Sequence, residues 1–208
     1  MTDIILVRHG HVPGISPERF RGRSELQLTE RGQQQAAQTA QWLARHIRPQ
    51  ALYTSPSKRC VDTGHAIAEC CDMAAEVLPA LNDIDYGTWQ GLTHDEVATK
   101  WPQAWQRWRT APQFMRFPGG ESFMTMASRA ADALLFILDR HANQSVATQP
   151  VIVVTHDSII RTILLLALNQ SLSSYWRLAQ EPCAINAITV EEDRCVVKLI
   201  NQTAHLNP

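Results

Sequence analysis

Short runs of apolar residues recur along the chain and are separated by longer stretches bounded by helix start and stop signals. Residues 4–7 and 151–154 are apolar without alternation, which is typical of strands covered on both faces. Residues 51–54 follow as a further short strand. The run over residues 159–168 contains Arg161 and is too short to cross a bilayer, so it predicts a buried helix.

Capping residues predict where the longer helices begin. Thr29 and the pair Ser55–Pro56 are typical helix starts, and Thr93 with Glu96 three positions later matches a capping box. The predicted helices cover about residues 29–47, 55–71, 93–101 and 122–141.

The remaining patterns complete the fold prediction. Residues 81–89 are irregular, whereas residues 184–190 and 195–200 predict two strands paired as a hairpin across Glu191–Arg194. Strands that alternate with long helices indicate an α/β fold, a three-layer α/β/α sandwich with a largely parallel central sheet. We expect a single domain over residues 1–208, with a lid-like insertion at about residues 93–118.

Composition narrows the class of partner. The 208 residues are 45% hydrophobic, enough for a substantial core, and carry a net charge of −1 with a pI of about 6.7. Nucleic-acid or membrane-surface binding would favour a strongly basic face, so neither partner is expected. A small molecule held by local charges fits better, while oligomeric state is not readable from the sequence.

The cysteines and the amino terminus bear on localisation. Five scattered cysteines without a C-x-x-C spacing indicate reduced thiols and a cytoplasmic protein. The start MTDIILVRHG has an acid before its four apolar residues and an arginine after them, unlike a signal peptide or a membrane span.

Two predicted strands end in histidine-bearing turns. The first gives Arg8-His9-Gly10 and the second gives Thr155-His156-Asp157. Because ligands of open α/β sheets bind beyond the carboxyl ends of the parallel strands, we expect the two histidines to converge. A single histidine is more often structural, but two histidines that each follow a strand end favour a functional site.

A third strand end adds a cation. Arg59 lies in the first turn of the helix that follows the strand at residues 51–54, near the positive end of the helix dipole. Arg8 and Arg59 together form a clamp suited to a phosphate dianion, since guanidinium groups match phosphate oxygens in geometry and charge.

These motifs, in this order, resemble the histidine phosphatase (phosphoglycerate mutase-like) superfamily. The resemblance covers residues 3 to about 170. It rests on L-V-R-H-G, R-F-R-G and L-T-E-R-G, S-x-x-x-R-x-x-x-T, L-N-D-x-x-x-G-x-W-x-G, P-G-G-E-S and V-T-H.

The resemblance implies a reaction and a set of roles. His9 would attack phosphorus and form a phosphohistidine, which water then hydrolyses. Arg8, Arg59 and His156 would stabilise charge on the phosphoryl oxygens, with His156 as a histidinium. No metal or other cofactor is then required.

The acid that protonates the leaving group is expected to be Asp83. It occupies the third position of L-N-D, where the family usually has Glu, so its shorter side chain must sit deeper or act through water. Asp85 would share a strand face with Asp83. His11, Arg21 and Asp157 are expected at the rim of the pocket, and Asp157 could instead orient His156.

The substrate prediction is a small phosphorylated metabolite. Family mutases follow the L-N-E pattern with a basic residue and His, but this chain has Ile84 and Asp85, which favours a phosphatase over a phosphoglycerate mutase-type phosphotransferase. Trp101, Trp105 and Trp108 fall on one face of a predicted helix. They either pack the insertion onto the domain or line the site as an aromatic wall.

Two other classes remain as alternatives. His9, His11, His156 and Asp157 could ligate a metal in a metal-dependent hydrolase, although Arg8 and Arg59 would repel the cation. The departures at Asp83 and Asp157 also leave open a phosphate-binding module with weak catalysis.

Overall fold

The computed structural model describes residues 1–141, 149–191 and 194–206, whose strands form one six-stranded sheet. Its order is β3-β2-β4-β1-β5-β6, with β1 (Thr2–Arg8), β2 (Ala51–Thr54), β3 (Glu76–Val77), β4 (Val151–Thr155), β5 (Ile185–Val190) and β6 (Cys195–Gln202). Strands β1 to β4 are mutually parallel, whereas β5 and β6 are antiparallel to their neighbours. The prediction of a largely parallel sheet is confirmed.

Within the described residues six α-helices accompany the sheet: α1 (Glu30–His46), α2 (Lys58–Cys71), α3 (His94–Lys100), α4 (Pro102–Thr110), α5 (Phe123–His141) and α6 (Asp157–Ala167). Thr29 caps α1 by accepting from Gly32 N, and Thr93 with Glu96 forms the predicted capping box of α3. Helix α6 begins two residues earlier than predicted, which places His156 at its N-cap.

Alternate side chains of the central strands enter two separate cores. Leu6 and Val153 pack with residues of α5 and α6 on one face, whereas Val7 and Val154 pack with residues of α1 and α2 on the other. Since successive strand residues point to opposite faces, an uninterrupted apolar strand requires cover on both sides. This arrangement confirms the three-layer α/β/α sandwich.

Several local predictions need correction. Helix α2 begins at Lys58 rather than at the Ser55–Pro56 pair, because the Ser55 hydroxyl bonds to His156 and does not cap the helix. The hairpin of β5 and β6 is present, with Glu191 N donating to Arg194 O at 2.9 Å. Residues 192–193 of its predicted turn lie outside the described residues. The short β3 and a 3-10 turn at Leu172–Arg177 were not predicted.

The tryptophans at 101, 105 and 108 do not lie on one continuous helix. Trp101 separates α3 from α4, since it is the C-cap of the first and precedes Pro102 of the second. Trp108 is fully buried against Phe117 and Tyr175. Among the helices of the described residues, none is long and apolar enough to cross a membrane.

Candidate active site

The parallel pairing of β1 with β4 brings the two histidine-bearing turns together. Arg8 lies opposite Thr155 in the ladder, and His9 N donates to Thr155 O at 3.0 Å. The rings of His9 and His156 consequently face each other edge to face, with centroids 5.3 Å apart. The convergence expected from the strand ends is present in the fold.

His9 is held in one tautomer. Its Nδ1 lies 2.8 Å from Gly10 O, and because a carbonyl only accepts, Nδ1 carries the proton and Nε2 keeps its lone pair. Burial, together with the nearby charges of Arg59 and Arg8, lowers the pKa of His9 well below its usual value. The ring is therefore a neutral imidazole with a free Nε2 lone pair at physiological pH.

Gly10 allows this turn to pack against α1. A Cβ at this position would lie 2.5 Å from the carbonyl oxygen of Gly32, so the backbone itself excludes any side chain. Gly10 N also donates to Thr63 Oγ1 of α2 at 3.1 Å, which ties the turn to the helix that carries Arg59.

The hydrogen bonds around His156 are those of a neutral imidazole. Arg59 Nη2 lies 3.0 Å from His156 Nδ1 and shares its two hydrogens among this nitrogen, Gly22 O and Asp83 Oδ2, so Nδ1 is the accepting nitrogen of the ring. Nε2 then carries the proton and donates to Ser55 Oγ at 2.7 Å. Burial and the charge of Arg59 lower the pKa of His156 well below its usual value.

Arg59 is fully buried and oriented by main-chain oxygens. Its Nη1 donates to Ser24 O at 2.9 Å, and its Nη2 lies within bonding distance of Gly22 O at 2.6 Å and Asp83 Oδ2 at 3.1 Å. Arg8 is held in the same way through Nη1 and Gln180 O.

Each of these arginines keeps its buried Nε without a partner. Arg8 Nε and Arg59 Nε are buried and have no hydrogen-bond acceptor among the described residues. A buried donor left unsatisfied costs about 1–3 kcal/mol. Two such donors beside a pair of neutral imidazoles make a site that an anion would complete.

Asp83 lies within this cluster, as the sequence predicted. Its Oδ2 faces Arg59 and lies 3.5 Å from His156 Nδ1, while its Oδ1 accepts from Ile84 N at 2.8 Å and from Ser158 Oγ at 2.5 Å. Burial raises the pKa of Asp83 although the charge of Arg59 opposes the shift. This environment favours a carboxyl group that can hold a proton.

Asp85 does not share a strand face with Asp83. Residues 82–86 are irregular, and Asp85 Oδ1 instead accepts from Gly87 N at 2.9 Å. Its other oxygen lies 3.6 Å from Arg23 Nη1. Asp85 therefore belongs to a turn next to the site.

A narrow cleft of about 20 Å³ borders the cluster. It is lined by Glu18, Arg19, Phe20, Arg21, Gly22, Asp83, Tyr86, His94, Trp108, Asp157, Arg161 and Trp176. Two of the three residues expected at the rim, Arg21 and Asp157, are in this lining. The third, His11, is not, because its Nδ1 bonds to Thr29 Oγ1 at the start of α1, 2.9 Å away.

Asp157 pairs with arginines and does not orient His156. Its Oδ2 accepts from Arg161 Nη1 at 3.1 Å, and its Oδ1 lies 4.0 Å from Arg8 Nη2. Burial alone would raise the pKa of Asp157, but the two guanidinium groups hold it well below its usual range. Asp157 is therefore a carboxylate next to Arg8.

Sequence reasoning missed four residues of the site. Ser55 directly follows β2 and stands in the third strand-end motif, but the motif alone assigns it no role. Arg161 follows Asp157 by four positions in α6, a spacing that predicts a helical ion pair. Gln180 and Ser158 carried no signal in the sequence. The described residues contain no group of three or more His, Cys, Asp or Glu side chains that could hold a metal ion.

Comparison with known proteins identifies the family. The sequence model of the histidine phosphatase superfamily (branch 1) matches residues 4–203. Phosphoserine phosphatase 1 of Hydrogenobacter thermophilus is 33% identical over 99% of this chain and 95% of its own length. The metal-independent phosphoserine phosphatase of Arabidopsis thaliana is 34% identical over 100% of this chain and 84% of its own.

Among solved structures, Bacillus stearothermophilus YhfR superposes with a TM-score of 0.90 at 26% identity and covers 100% of both chains. The chain belongs to the histidine phosphatase superfamily. The family, the fold class and the phosphatase class predicted from the strand-end motifs are thereby confirmed.

Proposed function

We propose that this chain hydrolyses phosphate monoesters of small metabolites through a phosphohistidine formed on His9. The observation that carries the proposal is a neutral His9 with a free Nε2 lone pair near the charges of Arg8 and Arg59, two arginines whose buried Nε atoms have no partner among the described residues. A phosphoryl group seated on these donors would satisfy both and present its phosphorus to His9.

In the first step His9 Nε2 attacks phosphorus, so that a P–N bond forms as the P–O bond to the leaving group breaks. The developing alkoxide takes a proton from the carboxyl group of Asp83, whose pKa is raised by burial, the direction that favours the protonated form. Arg8 and Arg59 stabilise the charge on the three equatorial oxygens, so no metal is needed for this role.

In the second step the Asp83 carboxylate takes a proton from water as the water oxygen attacks phosphorus. The P–N bond breaks, phosphate leaves, and both His9 and Asp83 return to their starting states. His156 holds Arg59 in place. A bound phosphate dianion would raise the pKa of His156, and the histidinium so formed would donate a hydrogen bond from its second ring nitrogen to the phosphoryl oxygens.

Substrate entry requires the cover of the cleft to move, since His9 is only 1% exposed. The cover includes the loop at residues 18–22, which lines the cleft, and the main chain of its Phe20 bonds to Leu92 and Gly91 at 2.9 and 2.8 Å. The loop therefore adjoins the start of the segment 93–118. We propose that this segment acts with the loop as a lid on a single domain spanning residues 1–208.

Phosphoserine is the substrate we propose. Two relatives above 30% identity carry the name phosphoserine phosphatase. The cleft offers both charges that an amino acid requires: Asp157 is a carboxylate beside Arg8, and Arg21 and Arg161 are cations in the same lining.

The five cysteines are free thiols, which supports a cytoplasmic location.

A hydrolysis screen over a panel of phosphomonoesters without added metal tests the proposal, with H9A as the blank. We expect phosphoserine to be hydrolysed and H9A to lose at least ~10³-fold in rate. A brief pulse with phosphorus-labelled phosphoserine should leave label on the protein that survives alkali and is lost in acid.

The same measurements separate the alternatives. A mutase would transfer label to added phosphoglycerate faster than to water. A binding module would be stabilised by phosphate but would release no phosphate from the esters. A metal-dependent hydrolase would lose activity in excess chelator. Any of these three results would contradict the proposed hydrolase.

A further inference from the structure

We infer that Ser158 is a positioning residue that holds Asp83 in the orientation needed to deliver its proton. The inference rests on the proposed role of Asp83 as the general acid. It starts from one contact, the 2.5 Å hydrogen bond that the Ser158 hydroxyl donates to Asp83 Oδ1.

This contact is enclosed on all sides. Ser158 is 1% exposed and Asp83 is 4% exposed, so the hydrogen bond is removed from competition with water. The serine lies in the first turn of α6 and follows His156 and Asp157 in the sequence. Asp83 belongs to an irregular segment, so α6 supplies a rigid element on which the carboxyl group is fixed.

The hydrogen bonds distinguish the two oxygens of Asp83. Oδ1 already accepts from Ile84 N and Ser158 Oγ, which disfavours a proton on that oxygen. Oδ2 faces Arg59 and His156, the groups that surround the proposed phosphoryl site. Oδ2 accepts from one donor, Arg59 Nη2 at 3.1 Å, against two at Oδ1, so we place the proton on Oδ2, which faces the proposed phosphoryl site.

Other charges act on Asp83 as well and are unchanged by a substitution at Ser158. Arg129 and Arg23 donate to its main-chain oxygen at 2.8 and 3.2 Å. The further titratable groups that interact with it are Arg59 and Cys60 from α2, Arg8 from β1, His156 and Asp157 at the start of α6, and Tyr86 and Tyr175. Removal of one hydroxyl thus isolates one interaction.

Ser158→Ala tests the inference through the pH profile of kcat/KM with an alkyl phosphate such as phosphoserine. Activity on this ester needs protonated Asp83 and falls as pH rises through the pKa of that group. Loss of a donor to the ionised carboxylate raises the pKa, so the alkaline limb should move upward by about one pH unit.

The leaving group supplies a second readout. Misplacement of the acid should lower kcat/KM for phosphoserine by at least ~10-fold, whereas p-nitrophenyl phosphate, whose leaving group departs without a proton, should lose less than ~3-fold. Thr162→Val is the matched control. It removes a fully buried hydroxyl one turn further along α6, which bonds to Ser158 O and not to Asp83. We expect the wild-type profile from it.

A volume-conserving exchange tests the packing. Asp83 and Ser158 together have as many side-chain heavy atoms as a glutamate and an alanine. D83E alone must force its longer side chain against the serine and should lose at least ~10-fold in activity on phosphoserine, whereas D83E/S158A should recover most of this loss.

Three results would overturn the inference: an unshifted pH profile in S158A, equal losses on both esters, or a double variant no better than D83E. D83N separates this failure from a failure of the proposed acid. If D83N retains wild-type turnover of phosphoserine, Asp83 is not the acid. If D83N is impaired selectively on the alkyl ester while S158A is not, only the role of Ser158 is wrong.

Discussion

Two buried aspartates of the site have pKa values shifted in opposite directions because their partners differ. Asp83 has a raised pKa, since burial outweighs the single charge of Arg59, whereas Arg8 and Arg161 keep Asp157 ionised. Asp157 Oδ1 lies too far from Arg8 for a hydrogen bond, at 4.0 Å, and its residue lines the cleft. It is therefore an acceptor next to the proposed phosphoryl site, suited to a substrate ammonium group.

Asp157→Asn tests this selectivity with a matched pair of esters. Phosphoserine and 3-phosphoglycerate differ only in the ammonium or hydroxyl group on the central carbon. Loss of a charge-assisted contact costs about 1.5–3 kcal/mol, so the ratio of kcat/KM for phosphoserine over 3-phosphoglycerate should fall by at least ~10-fold. Asp62→Asn, at the partner of exposed Lys58, should keep the wild-type ratio. An equal loss on both esters in D157N would remove Asp157 from substrate recognition.

At the scale of elements, the helices α3 and α4 contribute packing more than a substrate wall. Trp108 is fully buried and contacts Phe117, Phe123 and Tyr175, so it joins α4 to the core. It also lines the cleft, whereas Trp105 does not. Trp105 packs against His94 with ring centroids 5.1 Å apart, beside the loop that covers the site. The packing interpretation of the tryptophans fits these contacts.

Trp108→Ala should lower the free energy of unfolding by about 3–5 kcal/mol, the cost of deleting a large side chain from a packed core. Trp105→Ala should cost less because its side chain is half-buried. Urea denaturation measures both. In W105A, a bulky aryl phosphate and a small phosphate ester should lose activity by the same factor. A selective loss on the bulky ester would restore the aromatic-wall hypothesis for Trp105.

At the scale of the whole molecule, the site makes stability depend on pH. His9 and His156 have pKa values well below the usual value in the folded protein, because of burial and nearby arginines. The unfolded chain therefore binds more protons as the pH falls below about 6.5, and each histidine removes up to about 1.4 kcal/mol of stability per pH unit. The site is thus a source of acid lability.

Urea denaturation between about pH 7.5 and 5.5, a range that spans the ordinary histidine pKa, checks this dependence. We expect the free energy of unfolding to fall toward the acidic end, and we expect His156→Gln to reduce the slope although it also lowers stability at neutral pH. His65→Gln is the control, since His65 is exposed and pairs only with Glu69. A slope that H156Q leaves unchanged would assign the acid lability to other groups.

The sequence alone determined the class of fold and the convergence of the site. Uninterrupted apolar strands require cover on both faces, and neighbouring parallel strands end at the same edge of a sheet. Arg8, His9, His156 and, through the helix after β2, Arg59 could therefore be placed together from the strand ends alone. Asp83 was found by its motif.

Only the tertiary structure decided how these groups are tuned. Ser158 and Asp83 are 75 positions apart, and Arg8 and Gln180 are 172 apart, so no local pattern records either contact. Packing also supplies the neighbours that keep His156 neutral and hold His11 away from the cleft. It likewise decides that the helix is interrupted at Trp101. Motifs and periodicity report what a segment does by itself, whereas hydrogen-bond partners and pKa values depend on which segments meet.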